Sequence, residues 1–243
     1  MKRLAFLVFG WVAYGIFLLT FLYLIGFVAD LSVLPRSIDH PVPTMPLATA
    51  ILADLALIGV FGLQHSLMAR KSFKAVWTRV VPKPIERSGY MIFTCLALIL
   101  LFALWQPLPT MVWDLRGSVG EPVLWTVFAA GWLVAFVSTC LIDHFELFGL
   151  AQVWEHWRGT PPVAPRFRQP LLYRLVRHPL YSGFVLAFWA TPAMSFGHLL
   201  FAAAMTGYIL VAIEFEERDL VSQFGAEYES YRKTVGKLTP RLR

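Results

Sequence analysis

From Leu180 to Ile213 the chain runs 34 residues without one Asp, Glu, Lys or Arg, and charged clusters stand at both ends. As one helix this run would extend about 50 Å at roughly 1.5 Å per residue, well beyond a hydrocarbon core of about 30 Å. Pro192, with Ser195 and Gly197 close behind, supplies a break near its middle. The run therefore reads as a helical hairpin of two short arms. Its ends, Arg177-His178 and Glu214 to Arg218, come to one face of a membrane.

Four further apolar runs precede it: Leu4 to Ala29, Pro46 to Met68, Gly89 to Trp105 and Pro122 to Ile142. Each approaches the roughly 20 residues a membrane helix needs, and the first reads as a retained helix because no small-residue cleavage site follows it. With 58% hydrophobic and 15% charged residues, the chain must bury much of its surface in lipid. The expected fold is an all-α integral membrane protein of four transmembrane helices plus the C-terminal hairpin. It forms one polytopic domain over 1–243, with N-terminal helices in 1–142 and a cofactor loop, hairpin and tail in 143–243.

Loop charge orients it. Arg70, Lys71, Lys74, Arg79, Lys83 and Arg87 share one loop, and Arg158, Arg166, Arg168, Arg174 and Arg177 another, whereas the alternate loops carry only Arg36 and Arg116. The positive-inside rule puts both termini and both basic loops in the cytoplasm, as expected of a multi-pass protein of a bacterial inner membrane. The net charge of +6 then reflects topology and attraction to anionic membrane lipid. Nucleic-acid binding is not expected, because the basic residues divide among loops without a single stripe. Cys95 and Cys140 both fall inside predicted spans, so neither a disulfide nor a metal site is expected. Gly159-Thr160-Pro161-Pro162 and Pro165 make an extended linker, after which Phe167 to Tyr173 form either a lid over a ligand or a plain surface connection.

Pro179 suits the first turn of a helix and leaves His178 near its N-cap. The amides of Leu180, Tyr181 and Ser182, with the Arg177 guanidinium, form a cradle for the carboxylate of an amino-acid-like ligand. His178 and Tyr181 share a face, and Gly183 leaves room for a close helix or ligand. Alternatively, Arg177 and His178 only anchor the helix at the headgroups. Across the hairpin, Glu214, Glu216 and Glu217 repel one another and favour a cationic or hydroxyl-rich partner, or else form a solvated face.

The order Arg177-His178-Pro179-Leu180-Tyr181-Ser182-Gly183, apolar run, Glu216-Glu217-Arg218-Asp219-Leu220 and Phe224-Gly225-Ala226-Glu227-Tyr228 resembles the isoprenylcysteine carboxyl methyltransferase type of membrane enzyme. That resemblance implies a cytoplasmic site for S-adenosylmethionine, the methyl donor, with contacts from Arg177, His178, Tyr181, Gly183, Glu216, Glu217 and Tyr228. Gln64 to Arg70, Pro84 to Arg87 and Ile142 to Gly149 are similar to the nurim-related branch, and most of all to its bacterial thiol methyltransferases. This narrower resemblance implies a small volatile thiol as substrate, methanethiol giving dimethyl sulfide.

A thiol must become a thiolate to accept a methyl group. A histidine or carboxylate near the inner membrane face can take that proton, and His65 is the first candidate, ahead of Asp143 and His144. The plainer reading of His65 is a hydrogen bond that ties helices together. Two other functions stay open: methylation of another thiol, amine or carboxylate such as a lipid-linked cysteine, and a non-catalytic nurim-like membrane protein.

Overall fold

The computed structural model describes residues 1–42, 44–161 and 166–241. Pro162, Pro165 and Arg243, which belong to the expected linker and tail, lie outside the described residues. The chain packs as two compact units, Met1–Pro109 with His144–Ala164, and Thr110–Asp143 with Pro165–Arg243.

The first unit contains α1 (Lys2–Val28), α2 (Leu47–Ala69), α3 (Lys71–Trp77) and α4 (Lys83–Leu104). The second contains β1 (Met111–Asp114) and α5 (Gly120–Ile142). The chain then returns to the first unit with α6 (His144–Leu147) and α7 (Leu150–Arg158). α8 (Pro179–Trp189), β2 (Ala193–Ser195), α9 (Phe196–Phe224) and α10 (Ala226–Thr234) complete the second. Among the described residues five helices, α1, α2, α4, α5 and α9, are long and apolar enough to cross a membrane.

In the first unit α4 packs against both α1 and α2, and α7 lies on α1 and α4. Asp54, in the second turn of α2, is buried and accepts the Gln106 amide at 2.8 Å. This satisfies a backbone donor just past the C-terminus of α4, where no helical carbonyl serves it. Gly149 joins α6 to α7 with φ of +85°, a conformation that side chains rarely adopt, and sits against the Ser88 backbone of α4.

In the second unit α5 and α8 make the closest pair. A Cβ at Gly183 would stand 2.5 Å from the Gly131 carbonyl oxygen and 2.6 Å from the Ala135 nitrogen. Those obstacles are backbone, which cannot swing aside, so even a methyl group would push the helices apart. Of the two neighbours read for Gly183 from sequence, a close helix or a ligand, α5 is the helix.

The long apolar run breaks where Pro192 and Ser195 lie, but its arms are unequal. α8 has 11 residues and α9 has 29. α9 continues past Ile213 because Glu214 to Phe224 hold no helix breaker, and it stops at Gly225, whose φ is +55°. The two-short-arm expectation is thus corrected: only α8 is short. The break itself is held by β2, which pairs antiparallel with β1 and places Met194 opposite Trp113. The Ser195 hydroxyl then accepts the His198 amide at 3.0 Å and caps α9. Glu217 of α9 meets Arg177, which precedes α8, so the two charged ends of the apolar run come together.

Candidate active site

Glu217 is 1% exposed on the last turns of α9. Its Oε1 accepts from Arg177 Nε at 2.7 Å and lies 3.1 Å from His178 Nε2. Its Oε2 lies 3.1 Å from Arg232 Nε of α10, without an aligned hydrogen bond. Because a carboxylate only accepts, the His178 nitrogen facing it carries a proton. Beside this cluster, the Tyr181 hydroxyl donates to Glu216 Oε2 at 2.9 Å, and Glu216 is exposed.

The Arg177 guanidinium, expected from sequence in a ligand cradle, already meets several protein groups. Besides Glu217 it serves the carbonyls of Arg232, at 3.1 Å, and Val235. The Ser182 amide, expected there too, closes the first turn on the His178 carbonyl at 3.0 Å. The C-terminal tail accounts for the guanidinium contacts. Arg177 and His178 donate their amides to Gly236 and Lys237 at 2.8 and 3.1 Å, and the Ser182 hydroxyl donates to Leu238 at 2.7 Å. The tail is thus tied along the start of α8. With Arg177, Leu210 and Arg232, residues 235–241 line an open groove of about 430 Å³.

Tyr228 of α10 is 2% exposed, and its hydroxyl has no hydrogen-bond partner. Burial, then the charges of Glu217 and Glu216, push its pKa upward, so it stays a donor. Burial pushes neighbouring Tyr231 up to about 12. Phe167 packs its ring 5.7 Å from Tyr228, 5.3 Å from Tyr231 and 5.4 Å from Phe224. The segment read as a lid or plain connection therefore closes over Tyr228.

Two buried polar atoms here lack an aligned partner, the Glu217 Oε2 acceptor and the Tyr228 donor. Such atoms are costly unless a ligand or water completes them. S-adenosylmethionine fits that pattern chemically, because it carries an ammonium group and ribose hydroxyls to donate, and carboxylate oxygens and ring nitrogens to accept.

His65 lies in the first unit, facing Tyr90 and Thr94 of α4. The Thr94 hydroxyl is 3.2 Å from Nδ1, and the Tyr90 hydroxyl is 3.0 Å from Nδ1 and 2.9 Å from Nε2. Arg87 donates to the Leu147 carbonyl at 2.8 Å and sits 5.5 Å from the Tyr90 ring centre. The motifs around His65, Arg87 and His144 to Gly149, far apart in sequence, are thus joined through α4. His144 has its Nε2 2.8 Å from the Tyr14 hydroxyl and packs on Phe148. Asp143 ends α5 in the second unit. The structure thus gathers Arg177, His178, Tyr181, Glu216, Glu217 and Tyr228 in the second unit, and His65 and His144 belong to the first. Sequence reasoning missed Tyr90, Thr94, Arg232 and the tail. Only Gly236 hinted at the last, where a Cβ would run into the Thr239 carbonyl.

Comparison with known proteins adds an independent line. The chain is 50% identical over 240 residues to the methanethiol S-methyltransferase of Mycobacterium tuberculosis, covering 99% of this chain and 98% of that protein. It is 52% identical over 240 residues to methanethiol S-methyltransferase 2 of Bradyrhizobium diazoefficiens, covering 99% and 92%. Human nurim is 33% identical over 175 residues, covering 69% of this chain and 66% of nurim. Neither a family model nor a solved structure matches the chain.

Proposed function

Since the chain belongs to the methanethiol S-methyltransferase family, with nurim as a more distant relative, we propose that it methylates methanethiol to dimethyl sulfide, using S-adenosylmethionine. The observation that carries the reading is full-length identity near 50%, joined to a buried acid whose second oxygen still lacks an aligned donor.

Glu217 and Glu216 would hold the donor's ammonium or ribose hydroxyls, and the Tyr228 hydroxyl would donate to one of its acceptors. Arg177, His178 and Arg232 would act on the donor indirectly, by fixing the Glu217 carboxylate. Bound there, S-adenosylmethionine supplies an electrophilic methyl group on a sulfonium. His65 takes the proton of the thiol, leaving the thiolate as nucleophile. Phe167 and the α10 aromatic rings exclude water from beside the charged cluster, which strengthens its electrostatics.

Cells that express the chain and are fed methanethiol should release dimethyl sulfide into the headspace above a vector control. Purified protein given S-adenosylmethionine and methanethiol should do the same. If folded protein neither binds the donor nor forms the sulfide, the nurim-like non-catalytic reading replaces this one.

The proposed site is cytoplasmic, in a bacterial inner membrane with both termini inside, a reading that the basic loops support through the positive-inside rule. A reporter fused after Arg243 should be active in the cytoplasm, and a tag beside Phe196 should react from the opposite face. Labelling of the C-terminus from outside the cell would overturn this orientation.

A further inference from the structure

We propose that a groove formed by α1, α3 and α4 binds an anionic glycerophospholipid, with one acyl chain in the groove and the phosphate at Arg79 and Lys83. The site lies wholly within the first unit and does not depend on the proposed methyl transfer.

The groove is built for hydrocarbon. Ile85, Gly89 and Phe93 recur at every fourth position of α4, so they share one face of that helix. Phe9 of α1, with Trp77 and Val81, completes a groove of about 190 Å³ into which no polar atom opens. Space comes from Gly89, where no neighbouring element would come within 3.8 Å of a Cβ, the nearest atom being on the Trp77 ring. Trp77 itself is held by Phe73 and Phe93, whose ring centres are 6.0 and 5.8 Å from its own. Such a lining cannot satisfy a polar ligand, whereas an acyl chain gives up no hydrogen bond on entering it.

The rim decides which lipid. Arg79 and Lys83 stand two positions to either side of Val81, both are exposed, and among the described residues neither side chain meets an acid. The acid in the first turn of α4, Glu86, is already taken by Lys74 at 3.8 Å. Val76 and Val80, in the same segment, are 61% and 85% exposed. Apolar and cationic side chains thus stand side by side, as in a segment that lies on a membrane surface. Trp77, between the basic segment and the groove, is of the type enriched at that depth. A chain seated in the groove therefore leaves its phosphate beside two unpaired cations. A zwitterionic headgroup brings a cation of its own to the same place, so the attraction is for a headgroup with net negative charge.

The test is native mass spectrometry of the full-length protein released from detergent. It is titrated with dioleoyl phosphatidylglycerol or with dioleoyl phosphatidylcholine, which carries the same chains on a neutral headgroup. Wild type should take up the first phosphatidylglycerol at a concentration roughly 10–30-fold lower than the first phosphatidylcholine, the scale set by two basic side chains. Arg79→Gln combined with Lys83→Gln should erase that preference. Arg166→Gln combined with Arg168→Gln, which removes the same charge from exposed positions of the second unit, should keep it. Glycerol phosphate, a charged headgroup without chains, should not bind at these concentrations, and Gly89→Leu, which fills the groove, should weaken both lipids. Four results overturn the proposal: equal affinity of wild type for the two lipids, a preference that survives the loss of Arg79 and Lys83, an equal loss in both double variants, or glycerol phosphate bound as tightly as the lipid. Folded Gly89→Leu with unchanged affinity does so as well. The lipid and glycerol phosphate titrations use wild type alone, so they decide even if Gly89→Leu does not fold.

Discussion

His65→Ala should lower the rate of methyl transfer by roughly 10²–10⁴-fold while leaving S-adenosylmethionine affinity close to wild type, the signature of a lost proton acceptor. His65 is bound to Thr94 and Tyr90 and is not among the donor contacts proposed above, so truncating it removes none of those. Raising the pH should return part of the activity, since the solution then supplies more thiolate and the missing base matters less. Steady-state rates at several pH values, with donor affinity measured by calorimetry, check this. Full activity at neutral pH would make His65 a helix tie and move the role to Asp143 or His144.

Glu217→Gln should weaken S-adenosylmethionine binding by roughly 1.5–3 kcal/mol, the range for losing a hydrogen bond to a charged group. The change keeps the shape of the side chain but removes the only carboxylate that meets Arg177 and His178 at hydrogen-bond distance among the described residues. It should also cost stability. Breaking a buried ion pair by removing one partner typically costs about 3–5 kcal/mol, and Arg177 and Glu217 side chains are 9% and 2% exposed. Two measurements separate the effects: thermal denaturation reads the ion pair, and calorimetry on the folded protein reads the ligand contact. If the variant melts early yet binds the donor as wild type does, Glu217 is only a clamp, and Glu216 with Tyr228 must hold the ligand.

Much of this architecture was legible in the chain. The apolar runs from Leu4, Pro46, Gly89 and Pro122 correspond to α1, α2, α4 and α5, because burial in lipid is decided by local composition over about 20 residues. The break at Pro192 was legible for a similar reason, since a proline cannot join a helical ladder. The tight packing of α5 on α8 was half legible: Gly183 announced a close approach, but not whether ligand or helix makes it.

What a side chain bonds to across tens of residues was decided only in three dimensions. Arg177 and Glu217 stand 40 positions apart, and the charges alone told that each wanted an opposite partner without telling which. The tail chose for Arg177: Val235 and Arg232 offer carbonyls to one nitrogen of the guanidinium and Glu217 a carboxylate to another. Likewise, the chemistry of His65 depends on Tyr90 and Thr94, residues that read as ordinary members of an apolar helix until α2 is packed against α4. Hydrophobic period and loop charge act within one segment and are written along it. Hydrogen bonds between segments depend on register and facing, which arise only when helices pack, so the long apolar helices were legible in the sequence and the contacts of the candidate site only in the fold.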